Sequence, residues 1–225
     1  TIGSLVTTKD EFDKDLHAYT ITNEIDDRNV LPFNINYFKL DDEAKASKIS
    51  IKKAIVKEII KNHDRATNNR RFNAIFATTS INDAIEYYNL FKTVSKEFAT
   101  NNPLNIACVF SPPAEGNKDV QQLQEDLPQE QADNKKNPEE KKAALKTIID
   151  KYNTQFGTNH SINEFDLYYQ DVQKRIKDQQ YSNQDYSHEN KIVITIVVDM
   201  LLTGFDSKYL NTLYVDKNLK QHWLI

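Results

Sequence analysis

Four consecutive residues, Thr203-Gly204-Phe205-Asp206, carry the sharpest chemical possibility in the chain. A lone glycine lets the backbone turn with positive φ or come close to a ligand. A carboxylate two residues later can accept hydrogen bonds from sugar hydroxyls or from a basic partner. The same tetrapeptide also suits a simple turn. A second set of candidates is polar residues that close apolar runs: Thr78-Thr79-Ser80, Ser111, Asp199 and Asp216-Lys217. If those runs are parallel strands, hydroxyls and carboxylates gather at the edge where open α/β sheets bind ligands. The plain alternative is that strand ends are polar because loops are wet. Lys217 and Lys220 could meet phosphates there, although a solvated face is the commoner role for lysine.

Other chemistries are excluded or weak. There are only four glycines, Gly3, Gly116, Gly157 and Gly204, in 225 residues. No Gly-x-Gly-x-x-Gly and no Gly-x-x-x-x-Gly-Lys can be written, so any main phosphate cradle lies outside this chain. The five histidines, His17, His63, His160, His188 and His222, form no metal-binding spacing. No metal site is expected. The single cysteine, Cys108, lies in an apolar run and reads as a buried structural thiol. One thiol cannot form an internal disulfide, which favours a reducing, cytoplasmic setting. The longest apolar run, Ile192–Leu202, contains Asp199 and falls short of the ~20 residues a membrane helix needs. The start at Thr1 suggests a piece of a longer protein. Net charge is −4, so nucleic-acid contacts would rest on local basic patches.

The elements that must position these residues are legible in the hydrophobic pattern. Phe72–Ala77, Leu104–Phe110, Ile192–Val198 and Thr212–Val215 are compact apolar runs, expected as strands buried in a parallel sheet. Ser80 followed by Asp83 is a capping box and opens a helix with Ala84, Ile85, Tyr88, Phe91, Val94 and Phe98 on one face. Asp42–His63 is expected to be an amphipathic helix through Ile51, Ile55, Ile59 and Ile60. Leu16–Ile21 and the alternating Phe33–Phe38 read as strands, with a helical turn from Thr22 to Asp27 between them. Pro112–Pro138 is rich in Gln, Glu, Asp and Asn and is expected to be a solvated loop. Two amphipathic helices follow, one with Leu145, Ile148, Ile149, Tyr152 and Phe156, the other opened by Ser161–Glu164 and carrying Phe165, Tyr168, Tyr169, Val172 and Ile176. The fold class is therefore α/β.

The context of Gly204 narrows the function. The stretch from Val197 to Asp206, continued by Leu210–Lys217, resembles motif V of superfamily-2 helicases. More narrowly, it is similar to the motor (restriction, R) subunit of type I restriction–modification enzymes. Leu16-His17-Ala18-Tyr19-Thr20-Ile21 with Val30-Leu31-Pro32-Phe33 resembles an earlier block of that family. Phe72–Ala77 with Ala84-Ile85-Glu86-Tyr87-Tyr88 resembles its motif IV strand and helix. The blocks keep the family's order and span residues 16 to 222.

The resemblance implies a RecA-like parallel sheet, the second of two lobes in an ATP-driven DNA translocase and endonuclease. Residues 1–70 would lead in from the first lobe, and 71–225 would form the second lobe with an insertion at 112–190. ATP and Mg2+ would be held mainly by the first lobe. Gly204 and Asp206 would approach the ribose or phosphate side of the nucleotide. Thr78, Thr79, Ser80 and Thr203 would be candidates for duplex DNA phosphate contacts, since hydroxyls position a strand without reading its sequence. Methylase and specificity subunits would be partners, with no membrane. The phosphate loop, the arginine-bearing motif VI and the nuclease core are not in this sequence, and Trp223 stands where the family usually has Gly. No catalytic residue is therefore expected in this chain, and alone it should neither hydrolyse ATP nor cut DNA. Another superfamily-2 ATPase, of repair or remodelling, and a non-catalytic α/β interaction module stay open as alternatives.

Overall fold

In a computed structural model, residues 21–28, 33–38, 47–97, 103–177 and 191–217 are described. The chain falls into two units, one reaching to Asp41 and one running from Asp42 to Trp223. In the smaller unit, Ile21–Asp26 forms a short helix, α1, close to the expected turn. The strand expected over Leu16–Ile21 lies outside the described residues except for Ile21. The strand expected over Phe33–Phe38 does not form. Phe33, Ile35, Tyr37 and Phe38 are 60%, 64%, 89% and 63% exposed. Alternation alone makes no strand, because a strand needs a neighbour to pair with.

The larger unit is an α/β domain. In chain order it contains α2 (Lys48–Ala66), β1 (Asn73–Thr78), α3 (Ile81–Glu97), β2 (Ile106–Val109), α4 (Lys118–Glu125), α5 (Pro128–Asn134), α6 (Pro138–Phe156), α7 (Phe165–Lys177), β3 (Ile194–Val197) and β4 (Leu210–Asp216). The sheet has the order β2-β3-β1-β4, and every pairing is parallel. Ala74 faces Ile194, and Ile106 faces the same residue from the other side, so β3 is inserted between the two strands of the β1–α3–β2 unit. β1 and β3 are buried along their whole length, as interior parallel strands are. β4, at the sheet's edge, alternates half-buried and exposed residues.

The loop expected over Pro112–Pro138 is a misreading for its central part, where α4 and α5 form. Asn117 caps α4, its side chain accepting from the amides of Asp119 and Val120. Pro128 and Pro138 sit in the first turns of α5 and α6, where a missing N–H costs nothing. α6 ends on Gly157 at φ +65, the left-handed cap that glycine supplies without strain.

The core joins the sheet to α3, α6 and α7, with Val56 and Ile59 of α2 added to it. Phe76 meets Tyr87 and Phe91 edge-on, at 4.7 and 6.2 Å between ring centroids. The Cys108 thiol is fully buried against the Ala84 carbonyl, and burial pushes its titration far up, as suits an inert structural thiol. α2 contributes His63, which is 0% exposed and sits 3.1 Å from the Tyr214 hydroxyl through Nδ1. Burial pulls its imidazole down to about 4. The folded value is depressed, so this contribution is complete above the usual value near 6.5 and is lost as pH falls through 6.5 toward 4. At full protonation the cost is about 3 kcal/mol. Thermal melts from pH 7 to pH 4 should show this acid loss, and His63→Gln should flatten it. An equally steep profile in the variant would assign the loss to other groups.

Candidate functional site

Because all four strands are parallel, their carboxyl ends share one edge. Thr78 closes β1, Ser111 follows β2, Asp199 follows β3, and Asp216-Lys217 closes β4. Thr78 is fully buried, and its hydroxyl donates to the Val197 carbonyl at 3.0 Å, tying β1 to β3. Thr79 is exposed and donates to the Asp216 carbonyl oxygen at 2.8 Å. Ser80 accepts from the Asp83 amide at 3.1 Å and donates to the Asp83 carboxylate at 2.6 Å, the helix cap read from the sequence. The Tyr87 hydroxyl donates to the Asp216 carboxylate. The strand-end hydroxyls therefore do not act as one exposed group: Thr78 braces the sheet, Ser80 caps α3, and Thr79 faces outward.

The insertion covers much of the same edge. Glu130, on α5, is fully buried. Its Oε2 accepts from the Ser111 amide at 2.6 Å, and its Oε1 accepts from the amides of Asp199 and Met200 at 3.0 and 3.2 Å. Asp199 reciprocates: its Oδ2 accepts from the amides of Gln129 and Glu130 at 2.9 and 3.4 Å. Burial pushes the Glu130 carboxyl above its usual range, while the amides that bond it pull the other way. On the far side of Asp199, Lys217 donates to Oδ1 at 3.0 Å and to the Val198 carbonyl at 2.6 Å. Asp133 accepts from the Ile81 amide at 2.8 Å, so a carboxylate of the insertion occupies the positive end of α3. Gln124 and Asn134 donate to the Pro112 and Ser111 carbonyls at 2.8 and 2.9 Å. Three strand ends are thus knitted together by side chains of α5 and by Lys217.

What stays open at this edge is the loop after Asp199. Leu201 is buried yet holds φ +64, a left-handed conformation that costs a leucine ~1–2 kcal/mol. Thr203, Gly204 and Asp206 are exposed. Gly204 has φ +67 and nothing within 4 Å of where a Cβ would stand, so glycine takes this left-handed turn without strain and the space beside it is free. A cleft of about 510 Å³ runs between this loop and the insertion, lined by Asp119, Leu123, Leu127, Tyr169, Asp199, Leu201 and Thr203 among others. A second, more open one of about 390 Å³ is lined by Thr79, Val215, Asp216 and Lys217. Thr203 opens on the first and Thr79 on the second. The first cleft is lined by the carboxylates of Asp119, Asp126 and Asp199 and the hydroxyl of Thr203, acceptors of the kind that sugar hydroxyls donate to, and among the described residues no lysine or arginine lines it to meet a phosphate. At the strand ends themselves the amides of Ser111, Asp199, Met200 and Ile81 already carry carboxylates and are not available to a phosphate. Among the described residues no group of three His, Cys, Asp or Glu side chains could hold a metal ion.

Of the residues singled out from the sequence, Gly204, Asp206, Thr79 and Thr203 lie exposed at this edge while Thr78 and Ser80 are taken up by local bonds, and nothing in the sequence pointed to Glu130, Asp133 or Gln124. Pro128 preceded by Leu127 was the available signal for a helix there, but nothing local shows that its carboxylates turn inward.

A four-stranded parallel sheet flanked by helices is an α/β fold consistent with a RecA-like lobe. The chain belongs to the type I restriction enzyme subunit R family: the family description "Type I restriction enzyme subunit R domain 3" matches residues 70–225. It is 35% identical over 237 residues to the type I restriction enzyme SauCOLORF180P endonuclease subunit of Staphylococcus aureus strain COL. It is 36% identical over 235 residues to the SsaAORF53P endonuclease subunit of Staphylococcus saprophyticus. Each match covers 97% of this chain and 23% of the relative. Among the described residues no helix is long and apolar enough to cross a membrane.

Proposed function

We propose that this chain is the second motor lobe of an ATP-dependent DNA translocase within the endonuclease subunit of a type I restriction–modification system. ATP and Mg2+ sit against a first lobe of the same parent polypeptide. Gly204 and Asp206 meet the ribose or phosphate side of the nucleotide from this lobe. Thr79 and Thr203, the outward hydroxyls of the edge, touch duplex DNA phosphates, with Ser80 and the buried Thr78 fixing the backbone between them. Methylase and specificity subunits complete the assembly and supply sequence recognition. The observation that carries the reading is the exposed 203–206 loop, turned at Gly204 and anchored at Asp199 to both β4 and the insertion. A loop held at its root and free at its tip can report the nucleotide to the elements bonded at its root.

Asp206→Ala in the complete parent polypeptide should lower DNA-stimulated ATP hydrolysis roughly 10²-fold at saturating ATP. Among the described residues the exposed Asp206 carboxylate makes no hydrogen bond or ion pair, so the melting temperature should hold. Unchanged hydrolysis would remove this loop from the nucleotide site.

A further inference from the structure

α3 carries two charged flanks, and they are treated differently. On one flank every carboxylate meets a lysine of α2: Asp83 and Glu86 pair with Lys52, and Glu97 pairs with Lys53 at 2.7 Å and Lys57 at 3.9 Å. On the other flank Tyr88, Lys92 and Lys96 follow one another at intervals of four residues, one ridge of the helix. α6 lies beside that ridge and brings Lys151 to it. The Lys92 and Lys151 ammonium groups stand 4.2 and 6.0 Å from the centre of the same Tyr88 ring. Among the described residues no carboxylate pairs with Lys92, Lys96 or Lys151. Three cations from two helices therefore converge without neutralisation. The strain shows at Lys92, whose ammonium is pulled down to about 8 by burial first and then by Lys151 and Lys96.

We propose that Lys92, Lys96 and Lys151 form a contact for the phosphate backbone of duplex DNA on the α3–α6 flank, separate from the strand-end edge. α3 begins at that edge and runs back along the sheet, so Lys92 and Lys96 lie toward its other end. The chemistry is that of a backbone contact rather than of base reading. Lysines are point charges without a planar hydrogen-bonding fork. The Tyr88 ring beneath them is 4% exposed and offers no face for a base to stack on. Successive turns of one helix place charges ~5–6 Å apart, and a DNA strand carries one phosphate per ~3.4 Å of axis. A polyanion of dense, regular charge is thus matched better than a single phosphate. The choice of DNA over an acidic protein rests on the translocase reading above.

The test is fluorescence anisotropy of a short labelled duplex with the chain, at a series of salt concentrations, for the wild type, for K92Q/K96Q/K151Q and for the triple arginine variant. The glutamine variant should bind at least ~10-fold more weakly at low salt, and the slope of log affinity against log salt should fall by about 0.9 per lysine removed. The arginine variant should keep the slope. Equal circular-dichroism melts establish that folding is intact, and single K96Q and K151Q variants at exposed positions serve if the triple variant melts early. An unchanged slope, no DNA binding by the wild type, or equal affinity for polyglutamate would each overturn the proposal. None of these touches the nucleotide reading, which stands or falls on Asp206→Ala in the parent.

Discussion

Replacing Glu130 with alanine should destabilise the larger unit by about 3–5 kcal/mol, measured as a fall in the urea midpoint. The side chain accepts from three backbone amides at two strand ends, those of Ser111, Asp199 and Met200. Removing it leaves those donors buried without acceptors, each costing ~1–3 kcal/mol. It also removes the inner half of the clasp with Asp199. Domains of this size hold only ~5–15 kcal/mol in all, so the loss would be visible at room temperature. Glu130→Gln should fall between wild type and alanine, because one acceptor oxygen survives and no charge has to be desolvated. The pH dependence separates the two variants further. A carboxyl whose folded value is raised contributes stability below its ordinary range and loses it as pH rises through the raised value. That fall should be present in the wild type and missing from the glutamine variant. An alanine variant within ~1 kcal/mol of wild type would mean that α5 merely rests on the strand ends.

Lys217→Ala should cost about 3–5 kcal/mol, by leaving the Asp199 carboxylate buried with its cationic partner removed. The two side chains are 9% and 3% exposed, so solvent does little to soften the loss. Lys217→Met keeps most of the apolar stem and isolates the charge. A double-mutant cycle with Asp199→Asn should return a coupling of ~1–3 kcal/mol. Coupling near zero would show that Lys217 acts through its bond to the Val198 carbonyl instead. The pair matters beyond stability, since Asp199 is where β3, β4 and α5 meet at the root of the 203–206 loop.

These two residues also mark where sequence reading stops. The strands were legible because interior parallel strands are apolar on both faces, as in Phe72–Ala77 and Ile192–Val198. The start of α3 was legible because Ser80 and Asp83 form a local cap. The turn at Gly204 was legible because glycine admits a positive φ, while the roles of Gly204 and Asp206 come from the family resemblance alone. The polar insertion was misread because composition treats Gln124, Glu130 and Asn134 as wet, whereas all three are buried. They are buried because strand ends present amides and carbonyls that need partners, and an insertion folded over them must bring polar groups. No local pattern reveals that need, for Glu130 and Asp199 lie 69 residues apart. The left-handed Leu201 was equally hidden, since leucine gives no hint of positive φ. The exposed Phe33–Phe38 run erred the other way, its alternation being real and its partner strand missing from the described residues.

The 203–206 loop is proposed as this lobe's contact with ATP. Amide hydrogen exchange of the complete parent polypeptide, with duplex DNA and with or without a non-hydrolysable ATP analogue, reads that contact out. With the analogue bound, exchange should slow in residues 201–206 and stay unchanged in the middle of α6. Bound analogue with unaltered exchange across 201–206 would contradict it.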